Sequence, residues 1–284
     1  MPTDLHLHST HSDGTLTPAE IISRAKALEL TAVALTDHNT VSGLPDFLSE
    51  AEKQDVTAVA GIELSTVHQD REIHLLGLFI PAEAFPVITA LMQDYLTRKE
   101  QSNRDLADRL AADGYRVDYN AIKAATPDGN VNRALIAKEL MAKGYVTSVK
   151  EAFDTLLGEG MGYYTPPERL DFFDAIRFLR SIHTLPVWAH PLQYMDEPTV
   201  RAILPAAVEA GLMGLEVMHS SYDDHTIARA KSLADEFGLL YSGGSDFHGA
   251  VKPDVKPGVG SRSGETPNIP DEYYEKLRER ARAL

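Results

Sequence analysis

Histidines and carboxylates recur along this chain in short clusters with one shared chemistry. They are Asp4-Leu5-His6-Leu7-His8, Asp13, Thr36-Asp37-His38, Gly61-Ile62-Glu63, His74, Ala189-His190-Pro191 and Gly244-Ser245-Asp246-Phe247-His248. Imidazole and carboxylate together are the ligands of borderline and hard divalent cations. Nearly every cluster ends an apolar run rich in β-branched residues, as in a metal site assembled from strand ends. In the His6-x-His8 pair, alternate side chains of a strand share a face, so both imidazoles point one way and Leu5 and Leu7 into the opposite layer. A lone strand-end histidine is ordinarily a satisfied polar residue. Six histidines and three carboxylates in one ordered series read instead as a ligand set.

The elements that must carry these residues alternate. Strand-like runs occur near residues 3–8, 31–36, 57–65, 72–80, 185–190, 214–219 and 239–245, with helical patterns between many of them. Thr17-Pro18-Ala19-Glu20 starts one such helix: Thr17 as N-cap, Pro18 at the first helical position and Glu20 closing a capping box. Ile21, Ile22, Ala25 and Leu28 follow at helical spacing and face the sheet. Residues 198–210 and 224–237 read the same way, and 271–284 form a charged amphipathic helix. Alternation of this kind implies an α/β fold with a parallel sheet wrapped by helices, and seven strands suggest a closed or nearly closed barrel. Ligand candidates at strand C-termini are where such barrels build active sites. From Arg98 to Thr165 there are helical patterns (103–112, 133–143, 149–157) and no convincing strand. The expected division is therefore barrel over 1–97, a helical insertion over 98–166 that caps the barrel mouth, and barrel again over 167–284.

Composition narrows the function. The chain has 284 residues, 43% of them apolar, enough for a sizeable core. It has no cysteine, which excludes disulfides and thiolate metal sites. No run approaches 18 uninterrupted apolar residues and the first residues are not a signal peptide, so a soluble, cytoplasmic protein with no membrane partner is expected. A net charge of −15 argues against a general grip on nucleic acid. A cluster of divalent ions would still make the pocket cationic, which suits a small, multiply phosphorylated ligand.

The ordered set His6-x-His8, Asp13-Gly14, Thr36-Asp37-His38-Asn39, Gly61-Ile62-Glu63, His74-Leu75-Leu76-Gly77, Ala189-His190-Pro191 and Gly244-Ser245-Asp246-x-His248 resembles the motif series of the PHP (polymerase and histidinol phosphatase) family. The helical insertion further resembles the bacterial subgroup of nucleoside 3′,5′-bisphosphate phosphatases and 5′–3′ exoribonucleases. In the insertion, Asn132-Arg133-Ala134-Leu135 keeps that subgroup's arginine and has Leu135 where histidine is common. The resemblance implies a distorted seven-stranded (β/α)7 PHP barrel and three divalent ions, commonly manganese, in some members iron or zinc. It assigns His6, His8, Glu63 and Asp246 to one ion, Asp13, His38 and His248 to a second, and Glu63, His74 and His190 to a third, with Glu63 bridging. Glu63 and Asp246 are then the residues on which catalysis depends. The implied reaction is phosphate-ester hydrolysis by a metal-bound hydroxide attacking in line, with no phosphoenzyme, since the chain has neither a nucleophilic cysteine nor a P-loop.

For a bisphosphate substrate the second phosphate needs its own anchor. Arg133 is the first candidate, because a guanidinium grips phosphate with two hydrogen bonds. Arg177, Lys252 and Arg262 read more readily as surface charge. His219, ending the sixth strand, is a candidate substrate contact. His11 either steadies a ligand or lies on an exposed loop; His68, His183 and His225 read as surface or packing residues. Asp37 alternates away from the site and reads as a structural acceptor. Tyr163 and Tyr164 are either core or stacking platforms. The favoured function is removal of the 3′-phosphate of a nucleoside 3′,5′-bisphosphate, such as adenosine 3′,5′-bisphosphate to AMP, with no obligate protein partner. The alternatives are a 5′–3′ exoribonuclease on short 5′-phosphorylated RNA and a non-catalytic metal-binding module, the latter marked by lost ligands, of which none is lost here. An amidohydrolase would need a bridging lysine that this motif set lacks.

Overall fold

The computed structural model describes residues 2–126 and 131–284. Seven strands, β1 (Asp4–Leu7), β2 (Ala32–Leu35), β3 (Thr57–His68), β4 (Arg71–Leu78), β5 (Leu185–Trp188), β6 (Gly214–His219) and β7 (Leu240–Gly244), lie side by side in chain order. The end of β1 meets the segment after β7. The His8 N–H donates to the Phe247 carbonyl at 3.0 Å and the Asp246 N–H to the His6 carbonyl at 3.0 Å, so the sheet curls into a nearly closed barrel.

The sheet is not wholly parallel. β4 runs antiparallel to both β3 and β5, whereas the other neighbouring pairs are parallel. The cause is local. Only Gln69 and Asp70 separate β3 from β4, both with positive φ (48° and 61°), the backbone of a two-residue hairpin turn. A link that short leaves no room for a crossover helix, so the chain must double back.

The α-helices among the described residues are α1 (Pro18–Ala27), α2 (Leu44–Gln54), α3 (Phe85–Ala112), α4 (Tyr119–Ala125), α5 (Arg133–Ala142), α6 (Val149–Ala152), α7 (Phe172–Ser181), α8 (Pro191–Tyr194), α9 (Glu197–Ala210), α10 (Asp224–Glu236) and α11 (Asp271–Ala281). The start of α1 is the capping box read from sequence: Thr17 accepts from the Glu20 N–H, and Glu20 accepts from the Thr17 N–H. Its Ile21, Ile22 and Ala25 are buried. Each fully buried isoleucine contributes roughly 1.5–3 kcal/mol by removing apolar surface from water, so Ile22→Ala is the change that would cost this helix most. Helix α7 carried no sequence expectation, although Asp171 caps it by accepting from the Phe173 and Asp174 N–H groups. It buries Phe172, Ala175, Ile176 and Leu179 at helical spacing.

The chain separates into two compact units, one of Met1–Thr89 with Leu170–Leu284 and one of Ala90–Arg169. The first holds the barrel, whose core includes Leu5, Ala34, Val59, Leu76, Leu78 and Val187. The second is helical, built on Leu106, Leu110, Ile136, Leu140 and Leu157. Helix α3 begins well before the expected residue 103. Its middle is polar, so hydrophobic periodicity gives no signal there; Asp94–Arg98 at 2.7 Å and Glu100–Arg104 at 2.8 Å support it as i,i+4 pairs instead. Tyr163 and Tyr164 pack against the helical unit's core, and the Tyr163 hydroxyl donates to Asp113 at 2.7 Å. They are packing residues there. Among the described residues no helix is long and apolar enough to cross a membrane.

Candidate metal centre

The ligand candidates reach one end of the barrel by different routes. His6 lies within β1, and alternation brings His8, just past its end, to the same side. Glu63 is in the middle of β3, held in register by its N–H to the Asp37 carbonyl (3.2 Å) and its carbonyl to the Asn39 N–H (2.9 Å). His38 and His190 follow β2 and β5, and Asp246 and His248 follow β7. Because β4 runs backwards, His74 comes from its first half. Asn39, His190 and Asp246 all have positive φ (54°, 31° and 56°), a costly backbone that persists where surrounding contacts enforce it and that clusters at functional sites. Gly14 lets Asp13 fold back: a Cβ there would stand 2.3 Å from the His8 carbonyl oxygen.

Glu63 is the hub. Its Oε2 lies 3.1 Å from His6 Nε2, 3.2 Å from His8 Nε2 and 3.2 Å from His38 Nδ1. Its Oε1 lies 2.9 Å from His74 Nδ1 and 3.0 Å from His190 Nε2. Asp246 Oδ1 is 3.2 Å from His8 Nε2 and 3.4 Å from His248 Nδ1. Asp13 Oδ1 is 3.2 Å from His248 Nε2, and its Oδ2 is 3.8 Å from His38 Nε2. Among the described residues, three sets offer ligand atoms within 4.8 Å of one another: His6, His8, Glu63 and Asp246; His8, Asp13, His38 and His248; and His38, Glu63 and His74. His190 touches Glu63 without belonging to any of the three sets.

These residues fit divalent ions on the state of their own atoms. His6 Nε2, both ring nitrogens of His8, His38 Nδ1 and Glu63 Oε2 are buried with no hydrogen-bond partner. Leaving such groups unmade in a protein interior costs about 1–3 kcal/mol each. His6 Nε2, His8 Nε2 and His38 Nδ1 converge on Glu63 Oε2 at 3.1–3.2 Å, and a cation shared among imidazole and carboxylate would satisfy these atoms together.

Electrostatics within the ion-free cluster is strongly coupled. Burial pushes the Glu63 carboxyl up, but the imidazoles of His6 and His38 outweigh it and hold it well below its usual range. Burial likewise opposes ionisation of Asp13, and His248 and His38 bring it down to about 2. His38 itself is lowered to about 4, chiefly by burial. Against the downward pull of burial, Glu63 and Glu72 raise His74 to about 10. For His6, burial is overcome by Glu63 and Glu216, which hold it well above the ordinary imidazole value.

A second layer orients these groups. Glu216 on β6, fully buried, places Oε1 3.1 Å from His6 Nδ1 and accepts from the His190 N–H on Oε2 at 2.8 Å. It was not among the sequence candidates, although a carboxylate inside the apolar strand Gly-Leu-Glu-Val-Met-His was the available signal. Asp37 accepts from the Ser9 N–H (2.7 Å) and hydroxyl (2.6 Å) and from the Ser12 hydroxyl, a structural acceptor that ties β1's exit to β2's. His219 is 1% exposed, with Nε2 3.3 Å from Asp246 Oδ2 and Nδ1 beside the Ser221 hydroxyl; it buttresses Asp246 and does not stand free for a ligand. Lys252 is no loose surface charge, because its ammonium also pairs with Asp246 Oδ2. Arg177 pairs with Asp174 at 2.7 Å on the surface, and Arg262 donates to the Ser221 carbonyl at 2.7 Å. His11 sits on an exposed loop, against the Ser42 hydroxyl at 2.8 Å. Arg133 starts α5 in the helical unit, with its guanidinium 3.9 Å over the Tyr164 ring and Nη1 donating to the Leu157 carbonyl at 3.1 Å.

The chain has relatives over most of its length. A 5′-3′ exoribonuclease of Haemophilus influenzae is 33% identical over 246 residues, covering 86% of this chain and 89% of that one. A 3′,5′-nucleoside bisphosphate phosphatase of Chromobacterium violaceum is 30% identical over 271 residues, covering 94% and 92%. Among solved structures, a Chromobacterium violaceum protein described as an amidohydrolase, with bound sulfate and no metal, superposes with a TM-score of 0.73 at 27% identity, covering 99% of this chain and 97% of that one. Residues 4–162 match the PHP domain, and with relatives of this identity across nearly the whole length, the chain belongs to the PHP-domain family.

Proposed function

We propose that this protein, a metal-dependent phosphoesterase, removes the 3′-phosphate of nucleoside 3′,5′-bisphosphates, converting adenosine 3′,5′-bisphosphate to AMP and phosphate. The observation that carries the reading is the set of buried, unpartnered imidazole nitrogens gathered around Glu63 Oε2. The substrate is chosen on the Chromobacterium violaceum relative, a bisphosphate phosphatase matched over 94% of this chain.

His6, His8, Glu63 and Asp246 would hold one divalent ion, Asp13, His38 and His248 a second, and Glu63, His74 and His190 a third; manganese is the first choice, with iron or zinc the alternatives. Such ions neutralise phosphoryl oxygens and lower the pKa of water from about 15.7 towards 7. The protein's own contribution is preorganisation. Glu216 occupies His6 Nδ1 and leaves Nε2 turned to Glu63. Glu72 does the same for His74, taking Nε2 and leaving Nδ1 to Glu63. His219 and Lys252 occupy Asp246 Oδ2, so that Oδ1 faces His8. With their orientation fixed beforehand, the ligands need little rearrangement as charge develops on the ester.

The test is phosphate release in manganese-supplemented buffer from adenosine 3′,5′-bisphosphate, AMP and a short 5′-phosphorylated RNA. Preferential release from the bisphosphate with AMP as product is expected. Release of mononucleotides from the RNA alone would move the assignment to the exoribonuclease that the Haemophilus influenzae relative suggests. Silence on all three would remove both.

A further inference from the structure

A cleft of about 520 Å³ opens beside the metal centre within the barrel unit, lined by Arg71, His74, Trp188, His190, Tyr194 and Met195 among others. Two of its walls are the imidazoles that meet Glu63 Oε1, so anything seated in it lies next to the proposed ions. Its outer wall is Tyr194, 75% exposed. An aromatic ring that open to water forgoes most of the benefit of burial, and this one is not on a loose loop. It ends α8, which begins directly after His190, where a left-handed backbone (φ 31°) turns the chain. The Leu192 N–H donates to the buried Tyr222 hydroxyl at 2.8 Å and the Gln193 N–H to the His190 carbonyl at 3.0 Å, fixing that turn. The result sets the Tyr194 ring edge-on to the His190 ring, centroids 5.9 Å apart at 89°. Arg71, at the start of β4, supplies a guanidinium on the same cleft, exposed, with a long 3.5 Å contact to the Thr199 hydroxyl and the Asp196 carboxylate within its electrostatic reach.

We propose that this cleft is the nucleoside subsite: the base stacks on Tyr194 and Arg71 takes the phosphate that is not cleaved. The proposal rests on the phosphoesterase reading above and names where that substrate lies. Stacking on an aromatic face holds any base, because every base has a π-face, and a guanidinium recognises the tetrahedral oxyanion by paired hydrogen bonds. The cleft therefore selects nucleotides over phosphate esters without a ring, with little preference among bases.

The chain's single tryptophan lines this cleft, so its fluorescence reports occupancy without turnover. The experiment titrates AMP, the expected product, into wild type, Tyr194→Ala and Tyr194→Phe, and in parallel compares kcat/KM for adenosine 3′,5′-bisphosphate and for glycerol phosphate. AMP should perturb Trp188 emission in the wild type. Tyr194→Ala should weaken AMP binding about tenfold and lower the nucleotide-to-glycerol-phosphate ratio by about the same factor, while Tyr194→Phe, which keeps the ring, stays within about twofold. Equal AMP affinity in wild type and Tyr194→Ala, or an equal loss on both esters, would overturn the subsite while leaving the phosphoesterase standing. If the wild type cleaves neither ester, the phosphoesterase reading fails first and takes the substrate assignment with it, whatever the fluorescence shows.

Discussion

Glu216 and His6 form a fully buried pair, Oε1 to Nδ1 at 3.1 Å, behind the candidate ligands. The contact fixes the ring so that its other nitrogen faces Glu63, and it would make His6 a more basic ligand to an ion bound there. Carboxylates behind metal-ligating histidines typically change metal affinity by about 10–100-fold. Glu216→Gln should therefore weaken metal binding within that range while leaving the circular dichroism spectrum intact. Metal affinity unchanged within about twofold would mean that Glu216 serves only the His190 N–H it also accepts.

Glu63→Ala and Asp246→Ala should each abolish turnover and lower the metal content found by elemental analysis, with the fold largely retained. Either variant keeping wild-type activity would show that the centre lies elsewhere.

Metal binding should release protons. In the ion-free protein His74 is held at about 10 and His6 well above its ordinary value, so both carry a proton at neutral pH. A ligand imidazole must be neutral, so loading an ion expels those protons and affinity rises with pH. Calorimetric titration of manganese in buffers of different ionisation enthalpy should give different apparent heats. Identical heats in every buffer would contradict the protonation proposed for His6 and His74.

Asp4 is a stability residue. Its buried carboxylate accepts from the Ser245 N–H (3.0 Å) and hydroxyl (2.6 Å), the Gly258 N–H (2.6 Å) and the His6 N–H (3.2 Å). Asp4→Ala leaves several buried donors unpaired, at a cost of about 3–5 kcal/mol. Chemical denaturation should show a lowered midpoint with little change in slope. A loss under about 1 kcal/mol would mean that water replaces the carboxylate.

What the sequence made legible followed from short-range rules. Thr17, Pro18 and Glu20 specify a helix start within four residues, and the period of a strand puts His6 and His8 on one face. The motif residues His6, His8, Asp13, His38, Glu63, His74, Asp246 and His248 do converge in space. The direction of β4 was hidden because Gln69-Asp70 adopts a turn backbone more often signalled by asparagine and glycine. Glu216 was hidden because its role depends on a partner on β1, some two hundred residues away in the chain. Its space is made by Gly244, where a Cβ would stand 2.1 Å from His6 Cβ and 2.8 Å from Glu216 Oε1. Only the assembled barrel reveals that closeness.

Barrel closure also sets a timetable. The seam joining β1 to the segment after β7 includes the Asp4–Ser245 contact, whose partners are 241 positions apart. Contacts of such long sequence separation are slow to form, and a ribosome adds only about 5–20 residues per second. A nascent chain lacking Asp246 and His248 therefore has part of the candidate ligand set and no finished candidate centre. Full metal loading belongs after synthesis has passed the seventh strand, so the complete centre marks a finished, closed barrel.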